Sequence, residues 1–407
     1  MCELAIGRNG ESNRMTNPAL RPKGVERLLS LDVLRGITIA FMIMVNNNGG
    51  AGSWGFMNHA EWNGLTATDL VFPTFVFVVG ASIVFAVEAR LKRGATRAEL
   101  AWHTVKRAAI LFLLGIVVNG FPVFELAHLR VYGVLQRIAI CYLVVGLFYI
   151  WDKRVSTKVA ALVVLLMGYW VLVRWVPVPG AGMPGRDIPF MDQRMNLVSW
   201  LDRLLMPGHL YLDWSGPNLH NVRDPEGLLS DLPALGTALL GLLTGLWLRA
   251  GRTVKQKAAG LAAAAVLCLA LGYLWSFEFP LNKNMWTSSY VLVAAGWSLT
   301  VLTLAFWAVD AWGWGKGKSG ALIFPWLVLG SNAITAYMFS ELAPGLVESI
   351  HFTEAGRRTN PLAWMANHVF IHMPDAGWAA FAFSVFTLGY CFIPVWIMYR
   401  RKIFVKV

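Results

Sequence analysis

Residues 70–87 read Leu-Val-Phe-Pro-Thr-Phe-Val-Phe-Val-Val-Gly-Ala-Ser-Ile-Val-Phe-Ala-Val, a run without a single charge. An apolar run of about 18 residues or more is long enough for a helix to cross the ~30 Å hydrocarbon core of a bilayer. In lipid the backbone of such a segment must be satisfied internally, which a helix does. Charge returns at its borders, with Asp69 before it and Arg90, Lys92 and Arg93 after it. The stretch therefore reads as a membrane-spanning helix over 70–91.

Comparable stretches lie on both sides of it, at 30–47, 106–122, 134–151, 158–176, 228–249, 257–275, 287–308, 321–343 and 377–399. The expectation is an all-α, polytopic transmembrane helix bundle of about ten spans. Composition agrees: 57% of the 407 residues are hydrophobic and 14% charged, against about 25% charged in soluble domains. Nineteen Trp residues suit the membrane–water interface, where indole rings concentrate.

The excess of basic residues has an arrangement. Arg21, Lys23 and Arg27 precede the first span; Arg90, Lys92, Arg93, Arg97, Lys106 and Arg107 follow the second; Lys153, Arg154 and Lys158 follow the fourth. Arg249, Arg252, Lys255 and Lys257 follow the sixth, Lys316 and Lys318 the eighth, and Arg400, Arg401, Lys402 and Lys406 close the chain. With alternating spans all of these fall on one side, which the positive-inside rule makes cytoplasmic. Both termini are then cytoplasmic. The net charge of +12 follows from this arrangement, and neither a basic groove motif nor a separate soluble domain points to nucleic acid. Residues 1–28 lack the apolar core of a signal peptide and read as a disordered cytoplasmic tail. Residues 361–373 read as an interfacial or re-entrant helix, because an eleventh span would move the basic C-terminus across the membrane. Cys2, Cys141, Cys268 and Cys391 are scattered, without disulfide or metal-ligand spacing, and the histidines show no zinc pattern; no metal is expected.

The opposite side carries different loops. Residues 177–227 form a long one, rich in Pro, Asp and Arg, with Trp175, Phe190, Trp200, Tyr211 and Trp214 as anchors. Loops longer than about 12–15 residues are usually functional or disordered, and the aromatic anchors favour a packed lid or vestibule. Polar motifs gather at the same ends of the spans: Asn46-Asn-Asn-Gly-Gly50, His59-Ala-Glu-Trp-Asn-Gly-Leu-Thr66 leading to Asp69, Gly133-Val-Leu-Gln-Arg137, Asp224-Pro-Glu-Gly227 and Leu281-Asn-Lys-Asn-Met-Trp-Thr287. Polar groups at membrane depth are expensive and mark functional pathways. Ordinary loop capping would account for one or two such motifs; five on one face point to a shared cavity.

These motifs, with Ser30-Leu-Asp-Val-Leu-Arg-Gly36 and the continuation Ala67-Thr-Asp-Leu-Val-Phe-Pro73, resemble the heparan-alpha-glucosaminide N-acetyltransferase family in order and spacing from about residue 27 onward. Eukaryotic members carry a lumenal domain and one span ahead of this region, so the resemblance is to the bacterial branch, and the inner (cytoplasmic) membrane of a bacterium is the expected location. The resemblance implies a transmembrane acyltransferase domain over 29–407, acetyl-CoA as the donor co-substrate on the cytoplasmic side, an amino sugar such as glucosamine or a related periplasmic acceptor, and a homodimer. It assigns His59 as the catalytic histidine and Asn46 as the active-site asparagine. The stretch from Asn46 to His59 is about one residue longer than the family's, and Asn47 and Asn48 follow, which leaves open which asparagine faces the site.

Each candidate has a chemical reading and a plainer one. A histidine near neutrality can take the proton of an attacking amine, or attack the thioester itself and become acetyl-imidazole. Asn46 offers an amide to a developing oxyanion, or ends its helix. Asp69 orients His59, or caps the second span. Arg35 pairs with Asp32 three residues away, or meets the pyrophosphate of coenzyme A together with Arg27. Gln136 and Arg137 belong to the acetyl or acceptor end of the site. Lys283 belongs there too, with Trp286 as a stacking face for a sugar ring. Glu226 binds an amino-sugar ammonium, or caps the sixth span with Asp224. The rival from another class is a secondary transporter of an amino sugar, which would show inverted repeats and paired broken helices near the midplane; no internal repeat is evident, and the polar motifs sit at one face.

Overall fold

The computed structural model describes residues 28–48, 52–211, 222–314, 320–354 and 356–405. Arg27, Lys316, Lys318, Trp214 and the expected tail lie outside the described residues. The helices are α1 (Leu29–Asn46), α2 (Val71–Leu91, led by a 3-10 turn at Thr68–Leu70), α3 (Arg97–Gly120), α4 (Val134–Trp151) and α5 (Val155–Trp175). They continue with α6 (Leu197–Leu205), α7 (Asp231–Arg249), α8 (Val254–Trp275), α9 (Ser288–Ala305), α10 (Gly320–Ser331), α11 (Ala333–Glu348), α12 (Pro361–His368) and α13 (Ala376–Arg400). Among the described residues nine helices are long and apolar enough to cross a membrane, and ten spans result if the bent pair α10–α11 counts as one.

The bundle is built outward from α2 and α7. Gly80 faces Ala238 so closely that a Cβ on it would lie 2.0 Å from the Ala238 carbonyl oxygen, and a Cβ on Gly241 would lie 1.9 Å from that of Phe77. Small residues let helix backbones touch in this way, and in lipid such packing replaces the hydrophobic drive for association. Gly36 and Gly330 bring α1 against α10 by the same device, each against a backbone oxygen of the other helix. The apolar windows of α2 and α7 are each 72% buried, whereas those of α3, α5, α8 and α13 are 22%, 17%, 28% and 28% buried. The last four are apolar on faces the chain itself leaves uncovered, with Val163, Val164, Leu267 and Leu274 among the exposed residues.

Span ends are grouped by charge. At the end of α2, Glu88 accepts from Tyr149 Oη at 2.8 Å and Lys153 Nζ at 3.1 Å, and pairs with Arg249 at 2.8 Å. This ties the basic ends of α2, α4 and α7 together. The other ends of those helices carry Asp69, Gln136, Arg137 and Asp231. Between Asp192 and Asp231 the described residues cover these ends of the spans. α6 is capped by Asn196, whose side chain accepts from the Ser199 amide. A small apolar cluster of Met191, Val198, Tyr169, Val173, Phe279 and Met285 seats α6 and the residues before it on the spans.

Three features depart from the sequence expectation. α3 begins at Arg97, not near 106, because a reciprocal capping box between Thr96 and Glu99 starts the helix before its apolar stretch. The ninth span is not straight: α10 and α11 meet at 74°. Asn332 at the break leaves the helical conformation and spends its side chain on the C-terminal segment, donating to Ile403 O at 3.1 Å and accepting from Val405 N at 2.9 Å. A short antiparallel hairpin, Phe352–Glu354 with Arg357–Thr359, precedes α12. Residues 361–373 form the 8-residue α12 and a 3-10 turn, about 12 Å of helix at 1.5 Å per residue, too short to span.

Candidate active site

His59 stands in the loop between α1 and α2, its side chain 48% exposed. Its Nδ1 lies 2.7 Å from Asp69 Oδ1. The second carboxylate oxygen of Asp69 accepts from Ala60 N at 3.2 Å, Thr66 N at 2.9 Å and Thr66 Oγ1 at 3.0 Å. Asp69 itself is 1% exposed. A buried carboxylate held by these donors cannot itself supply a proton to Nδ1, so Nδ1 carries the hydrogen and Nε2 the lone pair. The helix-cap reading of Asp69 is not what the geometry uses: neither the 3-10 turn nor α2 has a side-chain cap bond.

Lys283 reaches the same imidazole, with Nζ 3.1 Å from Nε2 and 3.4 Å from Nδ1. A donor in line with the Nε2 lone pair would stand far from Nδ1 across the ring. The near-equal distances instead put the ammonium against the ring's face and leave the lone pair open. Lys283 is positioned by a tight turn: Asn282 Oδ1 accepts from Met285 N at 2.8 Å, Trp286 N donates to Lys283 O at 3.0 Å, and Trp286 takes a φ of 51°. That turn is locked to the histidine loop by Asn282 Nδ2 to Asn63 Oδ1 at 3.0 Å and Gly64 N to Leu281 O at 2.8 Å. Burial lowers the Lys283 ammonium pKa from its usual value, and the carboxylates of Glu226 and Asp69 oppose that shift.

A second network stands behind these residues. Arg130 donates to both oxygens of Asp224, from Nε at 2.9 Å and Nη2 at 2.5 Å, and pairs also with Glu226. Burial would raise the Glu226 carboxyl, but Arg130, Lys283 and Arg137 hold it below its usual range. Burial would likewise lower the Arg130 guanidinium, and Asp224 and Glu226 more than offset it. Arg137 is fully buried. It donates to Asp231 Oδ1 at 3.0 Å, Pro225 O at 3.2 Å, Gly227 O at 2.9 Å and Ser230 Oγ, and stacks 4.8 Å from the centre of the Trp286 ring. Its donors are thus engaged in clamping the 225–231 segment to α4. Neither Asp224 nor Glu226 caps the sixth span, because α7 starts at Asp231 after Ser230.

The remaining candidates fall as follows. Trp286 is enclosed, with Phe72 and Tyr290 edge-on at 5.0 and 5.5 Å and its Nε1 donating to Thr237 Oγ1 at 3.1 Å; no ring face is open to a sugar. Gln136 is fully buried and neither end of its amide has a partner. Asn46 ends α1 and donates from Nδ2 to Glu341 Oε1 on α11 at 3.0 Å. Its neighbour Asn47 has φ −127°, so no left-handed cap follows. Asn48 ties the loop together, reaching Ser53 Oγ, Met57 O and Asn58 Oδ1. Arg35 donates to Asp32 Oδ1 at 3.0 Å, Gly330 O at 3.2 Å and Ser82 Oγ at 2.8 Å, joining α1, α2 and α10. His59, Asp69 and Lys283 therefore meet directly, Glu226 and Arg137 stand behind them, and Asn46 and Arg35 face other partners. Sequence reasoning passed over Arg130, Asp202, Asp231 and Glu341. Asp231 and Glu341 carried a signal as acids inside apolar spans. No group of three or more His, Cys, Asp or Glu among the described residues is arranged to hold a metal ion.

The catalytic-domain model of heparan-alpha-glucosaminide N-acetyltransferase matches residues 27–189. The heparan-alpha-glucosaminide N-acetyltransferase of Homo sapiens is 30% identical over 359 residues, an alignment covering 78% of this chain and 53% of the human protein. That of Mus musculus is 29% identical over 370 residues, covering 80% of this chain and 55% of its own length. The chain spans about half the length of the curated relatives it matches. The alignments extend well beyond the matched region that holds the His59 loop, and on these grounds the chain is a relative of the heparan-alpha-glucosaminide N-acetyltransferases, which it resembles over about four-fifths of its length.

Proposed function

We propose that this protein is a transmembrane acetyltransferase of a bacterial inner membrane, taking acetyl groups from acetyl-CoA at its basic, cytoplasmic face and delivering them to the amine of an amino sugar at the His59 face. Both termini are then cytoplasmic, and the lid of 177–227 covers the acceptor side. The observation that carries this reading is the His59–Asp69 pair, 2.7 Å apart, in a chain similar to N-acetyltransferases. Asp69 holds Nδ1–H, so Nε2 is the base. It takes a proton from the acceptor amine as that nitrogen attacks the thioester carbonyl, and Asp69 stabilises the imidazolium that results. Glu226 attracts the acceptor's ammonium from behind Lys283, and the ammonium gives one proton to solvent before the neutral amine attacks. The long thioester arm of coenzyme A threads the bundle while its phosphates stay in the basic half of the spans, with Arg27 and Arg35 as the candidates to meet them. Neither substrate crosses the membrane; only the acetyl group does.

Purified protein in proteoliposomes of one orientation tests this. Acetyl-CoA should be consumed only when supplied from the basic side, with an amino sugar such as glucosamine on the other. No consumption with any amino sugar from either side would remove the transferase reading. The bend of 74° between α10 and α11 is the one feature that favours a transporter, since broken helices line transport sites. Uptake of radiolabelled glucosamine without acetyl-CoA would select that alternative.

A further inference from the structure

An acetyl transfer that proceeds through attack on a thioester places negative charge on the carbonyl oxygen, and a preorganised donor aimed at that oxygen is usually a large contributor to the rate. Asn46, the residue expected for this task, directs its amide to Glu341. Resting on the acetyltransferase reading, we propose that Lys283 is the catalytic residue that takes this charge, its ammonium bonding the acetyl carbonyl oxygen in the transition state.

The placement of Lys283 carries the argument. Its Nζ lies against the His59 ring at 3.1 and 3.4 Å from the two nitrogens, which leaves the Nε2 lone pair free in the ring plane. An amine donating to Nε2 along that lone pair brings its attacking nitrogen, and hence the carbonyl carbon, close to the ammonium. Only the carbonyl oxygen then needs to point at Nζ. The turn that carries Lys283 is bonded to the His59 loop through Asn282–Asn63 and Gly64–Leu281, so base and cation move as one body. Asp69 and the Arg130-bound Glu226 supply the negative field that favours the ionised lysine in a partly buried position.

The step balances without another reactant. The amine nitrogen forms a bond to the carbonyl carbon as its proton passes to His59 Nε2, and the π electrons move to the oxygen held by Lys283. When the carbonyl re-forms, the carbon–sulfur bond breaks, and the departing thiolate takes the proton from His59. The products are the N-acetyl sugar and coenzyme A thiol. The Lys283 cation beside the imidazolium also opposes retention of that proton, which favours its passage to sulfur.

The test uses the full chain with Lys283→Met, Lys283→Gln and Lys283→Arg, each checked for thermal stability against the wild type. Lys283→Met should lose about 10²–10³-fold in kcat, with the KM for acetyl-CoA changed little. Lys283→Arg should retain more activity than Lys283→Gln, because it keeps the charge. Bound acetyl-CoA carrying a ¹³C carbonyl should show a lower carbonyl stretch in the wild type than in Lys283→Met. If Lys283→Met instead keeps kcat within about threefold, or changes only the KM of the acceptor, Lys283 is not the oxyanion partner, even though transfer by the wild type still stands. If Lys283→Met does not fold, the order of the Arg and Gln variants and their carbonyl stretches decide the matter. A wild type that acetylates no amine removes the transferase reading and this role together.

Discussion

Replacing Asp69 by Asn preserves the shape of the side chain and changes only which of its atoms can donate. In the native loop one carboxylate oxygen faces His59 Nδ1 and the other faces Ala60 N, Thr66 N and Thr66 Oγ1. The hydroxyl of Thr66 can turn, since it also reaches Asn58 O at 2.7 Å, but the two backbone amides cannot stop being donors. The asparagine oxygen therefore stays on the amides, because turning it away would cost two hydrogen bonds of about 1 kcal/mol each. Its NH2 is then forced onto Nδ1. The imidazole can answer by changing tautomer, accepting at Nδ1 and carrying its hydrogen on Nε2. That puts a proton on the nitrogen that must receive one. Loss of a positioned general base lowers rates by about 10²–10⁴-fold, and Asp69→Asn should lose kcat in that range while acetyl-CoA still binds and the protein still unfolds at close to its native temperature. Steady-state acetyl transfer by the purified variant, beside a thermal melt in detergent, makes the comparison. A kcat within about threefold of the wild type would show that the tautomer of His59 does not govern the reaction, and the role given to Asp69 would be refuted.

Further outcomes follow from the networks behind the site. Arg137→Met removes a buried guanidinium and leaves Asp231 enclosed without its partner; breaking such a pair costs about 3–5 kcal/mol, and the melt should drop accordingly, with Arg137→Met/Asp231→Asn recovering part of the loss. An unchanged melting temperature would mean that the clamp on the 225–231 segment adds nothing. Asp202 of α6 is fully buried, and burial pushes its carboxyl up to about 7 against the Leu228 N–H, which lowers it; Asp224 and Asp231 raise it further and Arg137 lowers it. Because the docked lid holds this proton more tightly than the free chain, its stability is complete below the ordinary carboxylate pKa and is lost as pH rises toward 7. Hydrogen exchange of α6 should therefore quicken, beyond the intrinsic rate, as pH rises from the ordinary carboxylate range to about 7, and level off above it, and Asp202→Asn should abolish that excess; an Asp202→Asn profile identical to the wild type would rule the carboxyl out.

Long apolar runs were legible because a helix in lipid must satisfy its own backbone, so residues 134–151 match α4 to the residue despite Arg137, and most other span ends fall within a turn. The break at Asn332 was not legible. Its cause is a partner 71 residues away, Ile403, and the surrounding sequence remains apolar through the bend. Polar motifs told which loops would meet, as Asn63 and Asn282 show, but not which side chain in each motif would be spent on holding the others. Trp286 and Arg137 have the composition of ligand contacts, and they cover one another inside the bundle. Asp202 sits in a loop of mixed charge where one more acid carries no pattern; its burial is set by α6 packing onto Gly227, where a Cβ would meet Asp202 Oδ2 at 2.0 Å.

The backbone contact between α2 and α7 sets a length. Asp69 opens the span that ends near Glu88, and at about 1.5 Å per residue the two carboxylates mark points roughly 28 Å apart. Gly80 and Gly241 hold the two helices with no side chains between them, so neither can slide along its neighbour to shorten that interval. The pair is a fixed gauge between the basic ends and the histidine. On the transferase reading, a thioester donor would have to lodge its phosphates partway along this interval, at the level of Arg35 and Ser82, to bring its acetyl group to the histidine. A donor with a truncated arm, anchored at the same level, would stop short of Nε2, and on that reading the fixed interval would select donors by reach as well as by charge.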